Sequence, residues 1–447
     1  MSNKYSSLFK LGSYAFMQKF FKTVFAVGSF FFLVRMVDKE AFGIWVLFMS
    51  TKTLLEMARM GLIKNALIKY FAGNEEEHKK KVLTASFTIN ILFSIVNIAA
   101  ILVSQKLILY IWPYPTLVDL FNWYIIIVII TTLYSQFQYL AIAKMDFESF
   151  FLTTFIRQGL FFMIVVVLYF TNSNIVLVEL VIYHIICIAI ATIVAYLMVR
   201  KSLAFSKSID WPIFKQLFVY GQYIIGTSIG GMLYKSMDQL MLGSMISSIS
   251  VAIYNAAIRV INLVEIPVTS MADVYFSYST KKMKTHTLIE QKQMYEKSVG
   301  AIMGLILPII IIVLLFAKWI IIIVAGKQYI EAANILRIAI LMTLFIPFNR
   351  QFGTTMDAIG QPKINFMFTN IGAVFNFILN YLLIKSHGIY GALTATIATH
   401  FLLFCIEQYY LWVKVKISFK SIFISSIILY KDLFQEGKKL IYTKVKS

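Results

Sequence analysis

The sequence predicts an all-α polytopic membrane protein, with about twelve transmembrane helices in two pseudo-symmetric six-helix bundles around a central cavity. Apolar residues make up 60% of the 447 residues, charged residues only 14%, and the mean hydropathy is +0.78. A soluble globular chain usually carries about 25% charged residues. The apolar residues also form long runs between Lys-rich loops. Each run is about 20 residues or longer, the length that a helix needs to cross a bilayer core of about 30 Å.

These runs give the order of the elements. Their length, without short alternating segments, favours helices over barrel strands. Lys4 and Lys10 precede the first run and no small-residue cleavage site follows it, so we expect it to be kept as the first helix. The predicted spans lie at residues 12–34, 41–63, 82–104, 119–143, 149–171, 175–199, 214–243, 249–272, 298–317, 331–357, 364–385 and 388–413.

The two bundles are predicted from an internal repeat. Phe42–Trp45 resembles Val251–Tyr254, which follows it by 209 residues, and the same offset aligns Glu56 with Glu265. Because each half has an even number of helices, the halves share one orientation and are related by an axis along the membrane normal. The predicted domains are an N-terminal bundle, a C-terminal bundle and a basic cytoplasmic tail with a short amphipathic stretch, at residues 1–200, 201–417 and 418–447.

The net charge of +20 fits this topology without a nucleic-acid partner. Cytoplasmic loops of membrane proteins accumulate Lys and Arg. If the N-terminus is cytoplasmic, the inner segments, 144–157 among them, hold 28 Lys and Arg and the outer segments hold 7. Both termini are therefore predicted to be cytoplasmic. The apolar stretch Ser418–Tyr430 is too short to span, and we expect it to lie along the inner membrane surface among anionic lipids.

Charged residues inside the spans are the candidates for function, because burying a charge in hydrocarbon is costly. Lys52, Glu56 and Arg59 recur at helical spacing and share one face of the second span. Lys52 with Glu56, and Lys235 with Asp238, are alternatively intrahelical pairs that neutralise each other. The candidate substrate-binding residues are Lys19, Lys22, Lys52, Arg59, Lys235 and Arg259. The candidate ion-coupling residues are Glu56, Asp238, Glu265 and Asp357.

Other polar residues in the spans are weaker candidates for a functional role. His184 and His400 lie in apolar runs, where a hydrogen-bonded core histidine is the ordinary interpretation, and Glu407 is interpreted as interfacial. Cys187 and Cys405 each lie inside an apolar run, and no disulfide is expected. No catalytic residue, cofactor or metal cluster is predicted. Coupling to Na⁺ or H⁺ is left open by the acids in the spans.

Several segments resemble polysaccharide flippases of the MATE/MurJ/Wzx (MOP) superfamily, in particular the Wzx-type O-antigen transporters. The resemblance runs through Phe42–Leu62, Met237–Gly243, Val251–Arg259 and Ala358–Lys363. It implies a V-shaped exporter that works by alternating access in the bacterial cytoplasmic membrane. The implied passenger is a lipid-linked oligosaccharide, and the implied partners are membrane lipids, a glycan polymerase and glycosyltransferases.

The surplus of deep cations suits an anionic passenger, since Lys and Arg bind the diphosphate of a polyprenyl-diphosphate-linked glycan well. The related lipid II flippases similarly carry basic residues on helices 1, 2 and 8. Those positions correspond here to Lys19 or Lys22, to Lys52 or Arg59, and to Arg259. Lys on the first helix keeps the charge but not the bidentate geometry of Arg.

Two other function classes compete with this interpretation. A cation-coupled multidrug exporter of the same superfamily would need an acidic or neutral cavity, which the surplus of basic residues disfavours. An enzyme acting on the lipid-linked glycan would need placed carboxylates on sizeable aqueous loops. The outer loops are short, and they contain no paired carboxylates and no phosphate-binding glycine motif.

The charge count predicts the topology that cysteine labelling can test. In a background with Cys187 and Cys405 replaced by serine, a cysteine in place of Lys106 should react with an impermeant maleimide in intact cells. A cysteine in place of Lys281 should react only after the membrane is opened. Labelling at Lys281 in intact cells would contradict the predicted orientation.

Overall fold

The computed structural model describes residues 2–71, 75–172, 175–282, 288–359, 361–428 and 430. Every regular element in these ranges is a helix, which confirms the predicted fold class. The N-terminal half contains α1 (Ser2–Met36), α2 (Lys39–Phe71), α3 (Glu76–Ile111), α4 (Pro115–Ala143), α5 (Phe147–Phe170), α6 (Leu177–Val199), a short 3₁₀ turn (Arg200–Ser202) and α7 (Trp211–Met245).

The second half contains helices of more varied length. They are α8 (Ser248–Lys282), α9 (Leu288–Ala325), α10 (Ala332–Ala339), α11 (Ile346–Ala358), α12 (Pro362–Val415) and α13 (Phe419–Ile428). Two 3₁₀ segments, Lys327–Tyr329 and Ile340–Leu344, stand before α10 and α11. Among the described residues, ten helical segments are long and apolar enough to cross a membrane.

Two predicted spans differ from simple helices. The run at 331–357 is broken by Ile340–Leu344, and Pro347 at the start of α11 accounts for the restart because proline cannot continue a preceding helix. The runs at 364–385 and 388–413 join in α12, which bends at Gly388 with φ 57° and ψ −131°. A residue with a side chain avoids this backbone conformation, so glycine allows the second run to turn back from the first.

The helices form two compact units. The first comprises Met1–Leu233 with Ser247–Ala252, and the second comprises Tyr234–Ile246 with Ile253–Ser447. The division therefore falls inside α7, after its first two-thirds.

Close aromatic packing joins α1 to α5 in the first unit. The Phe25 ring lies 5.2 Å from Phe155 and 5.5 Å from Phe162, centroid to centroid. Gly28 and Gly159 make room for these rings, because a Cβ on Gly28 would come within 2.5 Å of Phe162. The contact fixes α1 and α5, which carry two of the basic side chains of the candidate site.

The loop before α7 is tied to the start of α3. Asp210 accepts a hydrogen bond from the Ile213 N–H and lies 3.3 Å from the Lys81 ammonium. The hydrogen bond and then the ion pair hold the pKa of Asp210 below its ordinary value. The Ser206 N–H also donates to the Thr84 hydroxyl at 2.8 Å, so two contacts anchor this connection.

The helix after the last span packs on α9. The Ser418 N–H donates to Glu296 at 2.6 Å, the Ser426 hydroxyl donates to the Gly300 carbonyl at 2.7 Å, and the Tyr430 hydroxyl donates to the Gly304 carbonyl. The residue numbers of both partners increase from one contact to the next, so α13 runs parallel to α9. We expected this stretch to lie along the inner membrane surface, but a helix that packs lengthwise on α9, a candidate span, does not fit that placement.

Small residues allow this close approach. Gly300 and Gly304 have the spacing that lets membrane helices pack backbone to backbone. A Cβ on Gly300 would lie 2.6 Å from the Ile422 carbonyl oxygen and 2.6 Å from the Ser425 Cβ. The backbone of α13 would therefore have to move away from α9.

Gly300→Ala should destabilise the protein by about 1–3 kcal/mol, the usual cost of forcing extra atoms into a close-packed contact. Thermal unfolding in detergent measures the change. Gly231→Ala is the matched control, since a Cβ on Gly231 would meet nothing within 4 Å. In a chain that ends at Ile417, Gly300→Ala should cost nothing. An equal loss in both backgrounds would show that Gly300 does not serve the contact with α13.

Candidate functional site

A cationic cluster lies within the first unit. It consists of Lys22 on α1, Lys52, Arg59 and Lys64 on α2, and Arg157 on α5. Electrostatic interactions link Lys22 to Arg157 and Lys64, and link Lys52 to Arg157. The acid Glu56 interacts with Lys52. It also interacts with Tyr124, which in turn interacts with Arg59. The cluster thus holds more basic groups than acidic ones.

Arg59 is the most enclosed member of the cluster, with 0% of its surface exposed. Its Nη2 donates to the Ser94 hydroxyl at 3.2 Å, and its guanidinium lies 5.9 Å from the centroid of the Phe93 ring. Nε and Nη1 are buried and find no hydrogen-bond partner among the described residues. A guanidinium offers five N–H donors in a planar fork, so most of its capacity is unused.

Buried polar residues of α3 and α4 hold Ser94, a hydrogen-bond partner of Arg59, in place. The Ser94 hydroxyl lies 2.6 Å from the Thr132 hydroxyl and donates to the Asn90 carbonyl at 2.8 Å. Asn90 Nδ2 in turn donates to the Thr132 carbonyl at 3.0 Å. One turn before Arg59 on α2, Glu56 accepts a hydrogen bond from the Tyr124 hydroxyl at 3.4 Å. Arg59 therefore lies in a preformed polar environment inside an otherwise apolar unit.

Lys52 is 8% exposed and reaches α6, where its Nζ lies 2.6 Å from His184 Nε2. Among the described residues, no ion pair joins Lys52 to Glu56, although their spacing allows one. The predicted intrahelical pair is therefore replaced by a contact between helices. His184 has a hydrogen-bond partner, as expected of a core histidine.

Arg157 is a member of the cluster that the sequence analysis missed. It was counted with the cytoplasmic segment 144–157, but α5 begins at Phe147 and carries Arg157 in its interior. Its guanidinium lies 5.0 Å from the centroid of the Tyr134 ring, and its Nε is buried with no hydrogen-bond partner in the described part of the chain. The apolar run around Arg157 was the available signal. Moving this residue lowers the inner count of Lys and Arg from 28 to 27.

The other predicted cations are more exposed. Lys19 and Lys22 on α1 and Lys235 on α7 have exposed side chains, and Arg259 on α8 is half-buried. Lys22 interacts with Arg157 in the first unit. Lys235 and Arg259 belong to the second unit.

The second unit encloses a carboxylate, Asp238 on α7, which is 5% exposed. Asn380 Nδ2 donates to its Oδ1 at 2.8 Å, Thr396 Oγ1 donates to its Oδ2 at 2.7 Å, and the Tyr254 hydroxyl donates to the same Oδ2. Lys235 makes no ion pair with it among the described residues. The second predicted intrahelical pair is therefore also absent from these residues.

Neutral amide and hydroxyl side chains surround this carboxylate. Asn376 Nδ2 donates to Thr396 Oγ1 at 3.2 Å, and Asn380 Nδ2 lies 3.0 Å from Asn376 Oδ1. Asn380 Oδ1 is buried and meets no donor among the described residues. One carboxylate with amide and hydroxyl oxygens is a donor set that suits a hard cation. The sequence analysis nominated Asp238 but none of these partners.

The remaining predicted acids have different surroundings. Glu265 on α8 is half-buried and interacts with Lys235 and Arg350. Asp357, at the end of α11, is exposed, and both of its oxygens accept from Asn365 Nδ2 at 3.1 Å. In the part of the chain that the structure describes, no group of three or more His, Cys, Asp or Glu residues could hold a metal ion.

Glu407 was interpreted as interfacial, but α12 buries it to 5% exposure. Its Oε2 accepts from Asn349 Nδ2 at 2.8 Å, and Asn349 Oδ1 lies 3.1 Å from His400 Nδ1. Its position eight residues before the end of α12 favoured the interfacial interpretation. The packing of α11 against α12 covers it instead.

Most of the chain matches a known protein family. The family described as polysaccharide biosynthesis protein matches residues 32–334, more than half of the sequence. The chain belongs to this family. The matched region contains α2 to α9 in full and therefore the whole cationic cluster except Lys22, together with Asp238.

The relatives of this family member agree with the resemblance seen in the sequence. A probable low-salt glycan biosynthesis flippase, Agl15 of Haloferax volcanii, is 28% identical over 237 residues, which are 51% of this chain and 50% of that protein. The chain thus matches about half the length of this curated relative.

Two solved structures share the fold. The lipid II flippase MurJ, in an inward closed conformation, has a TM-score of 0.73 at 16% identity, over 96% of this chain and 92% of that one. An inward-facing multidrug resistance MATE family transporter of the MOP superfamily has a TM-score of 0.73 at 13% identity, over 88% of this chain and 94% of that one. These likenesses confirm the predicted fold.

Proposed function

We propose that this protein is a flippase that moves a polyprenyl-diphosphate-linked oligosaccharide across the cytoplasmic membrane by alternating access. Membership of a polysaccharide biosynthesis family and the similarity to a probable glycan flippase support this proposal. Membrane lipids surround the protein, and a glycan polymerase and glycosyltransferases act on the same glycan. The revised charge count, 27 inner against 7 outer, supports cytoplasmic termini.

The observation that carries the proposal is the state of Arg59. A guanidinium with 0% exposure keeps two nitrogens without a partner among the described residues, and Arg157 keeps one. A buried donor left unsatisfied costs about 1–3 kcal/mol. A diphosphate oxygen that accepts from these nitrogens removes that cost, so the cluster favours an anion once it enters the first unit.

Lys22 belongs to the first unit with Arg59, whereas Arg259 belongs to the second. We propose that Lys22 and Arg59 hold the diphosphate during transport and that Arg157 assists them, while the role of Arg259 stays a prediction from the sequence. Lys52 lies beside them and adds positive charge while its ammonium is bonded to His184. A passenger bound by these cations can then bias a conformational equilibrium, as alternating access requires of its ligand.

A multidrug exporter remains the alternative, because the fold is shared with a MATE transporter. An organic cation would have to approach Lys22, Lys52, Arg59, Lys64 and Arg157 with Glu56 as the acid among them. The repulsion between like charges disfavours that passenger. Uptake of ethidium into everted vesicles separates the two functions, since a glycan flippase should not concentrate it.

We further propose that Asp238 binds the coupling cation. Asp238 is a single buried carboxylate, so the site carries one negative charge. The neighbouring side chains Asn376, Asn380 and Thr396 contain neutral oxygens. This set of groups suits a monovalent ion such as Na⁺. Glu56, Glu265 and Asp357 are weaker candidates. Glu56 and Glu265 interact with nearby Lys or Arg side chains, and Asp357 is exposed.

Arg59→Gln should lower the rate of glycan export about ten- to a hundred-fold, because a hydrogen bond to a charged group contributes about 1.5–3 kcal/mol. Arg59→Lys should keep part of the rate, since it keeps the charge without the bidentate geometry. The measurement is export of lipid-linked glycan in cells that depend on the protein, with its membrane content quantified in parallel.

Arg200→Gln is the matched control for this experiment, because Arg200 is exposed in the 3₁₀ turn after α6. Arg157→Gln should resemble Arg59→Gln if both residues act on the diphosphate. Full export by Arg59→Gln at normal membrane content would show that the cationic cluster does not bind the passenger.

Sodium should raise the unfolding temperature of the purified protein when it replaces choline at constant ionic strength. A ligand at a hundred times its Kd stabilises the folded state by about 2.7 kcal/mol. Asp238→Asn should abolish the shift, because the amide lacks the charge that attracts the ion. Glu265→Gln should retain it. A shift of the same size in Asp238→Asn would place the ion elsewhere.

A further inference from the structure

The contact between Lys52 and His184 has a chemical consequence beyond binding. It joins α2 to α6 inside the first unit, with Nζ and Nε2 2.6 Å apart and Lys52 8% exposed. An ammonium group has three donors and no acceptor. An amine is ordinarily a stronger base than an imidazole. With Lys52 charged, the hydrogen bond requires an unprotonated Nε2 on His184.

The pair consequently holds one positive charge in its resting state. A proton on Nε2 would place an imidazolium against an ammonium, with no lone pair left for the hydrogen bond. Two like charges at this separation repel strongly in a site shielded from water. His184 is thus a vacant proton site whose occupancy depends on the charges around it.

The charged groups that act on the pair come from two helices. Glu56 lies one turn after Lys52 on α2, and Arg157 faces both members of the pair from α5. Phe161 of α5 packs its ring edge-on against the imidazole, 5.4 Å between centroids. Arg157 opposes a second proton and Glu56 favours it. An anion that neutralises Arg157 would shift this balance toward protonation.

We propose that the Lys52–His184 pair takes up one proton from solution when an anionic passenger binds the cationic cluster, so that passenger binding and proton uptake are coupled. The proton goes to Nε2 of His184, and no bond other than the hydrogen bond from Lys52 is lost. Lys52 then has to leave the imidazolium, and Glu56 is the acceptor one helical turn away. The contact between α2 and α6 opens as a result. The coupling rests on the proposed function.

The resting pair can be tested without any passenger. NMR of isotopically labelled histidine nitrogens in the detergent-purified protein should show His184 as the neutral tautomer with a proton on Nδ1 and a hydrogen-bonded Nε2. His184→Gln assigns the signal, and Lys52→Met should remove the hydrogen-bonded character of Nε2. A proton on Nε2 at about neutral pH, with Lys52 in place, would overturn the pair as described.

The coupling is tested with farnesyl diphosphate, a short prenyl diphosphate, as the probe. Titration calorimetry at about neutral pH in two buffers of different ionisation enthalpy gives the number of protons taken up per bound probe. The wild-type protein should take up close to one proton. His184→Gln should bind more weakly and take up none, whereas His400→Gln should behave as wild type, because His400 contacts Asn349 in the second unit.

Each outcome decides one part of the hypothesis. Binding of the probe with the same heat in both buffers would overturn the proton coupling and leave the flippase proposal standing. Unchanged proton uptake in His184→Gln would assign the proton to another group and would also overturn it. If wild type did not bind the probe at all, the proposed diphosphate site would fail and the coupling with it, while the NMR result on the resting pair would still hold.

Discussion

The cost of burying a guanidinium in an apolar helix bundle is the constraint on which the first unit depends. Arg59 is completely enclosed, and an isolated charge in such a place is strongly unfavourable. Polar groups lie around it: Ser94 on α3 accepts its hydrogen bond, and Thr132 on α4 contacts Ser94. Tyr124, also on α4, donates to Glu56, which lies one turn before Arg59 on α2. Among the described residues, these partners accept from only part of the guanidinium, so Nε and Nη1 of Arg59 are left as buried donors. An anion is the kind of ligand that these donors suit.

The second unit handles a buried charge of the opposite sign in another way. Asp238 receives donors from Asn380, Thr396 and Tyr254, so the carboxylate is held by dipoles and not by a cation. Neutral amide and hydroxyl groups can turn away when an ion binds the carboxylate. A Lys or Arg paired with the carboxylate would instead compete with the ion. The absence of an ion pair with the nearby Lys235, within the described residues, keeps the carboxylate available.

The positions of the helices were predicted from the lengths of the apolar runs. A polar stretch inside a membrane span is costly, so spans leave a clear pattern in the sequence. The sites were less predictable. Lys52, Glu56 and Arg59 were found because charges are rare in apolar runs, but Arg157 was lost when a loop boundary was drawn across α5. Asn380 and Thr396 lie 142 and 158 residues from Asp238, and uncharged polar residues are too common in spans for such partners to stand out.

The predicted internal repeat aligns charged residues of the two candidate sites with uncharged ones. At the offset of 209 residues that aligns Glu56 with Glu265, Lys52 corresponds to Ile261 and Arg59 to Val268, both buried and apolar. At the same offset Asp238 corresponds to Ser29, which is also buried. In the proposed function, the anionic passenger and the coupling cation therefore use different side chains and do not compete for one site.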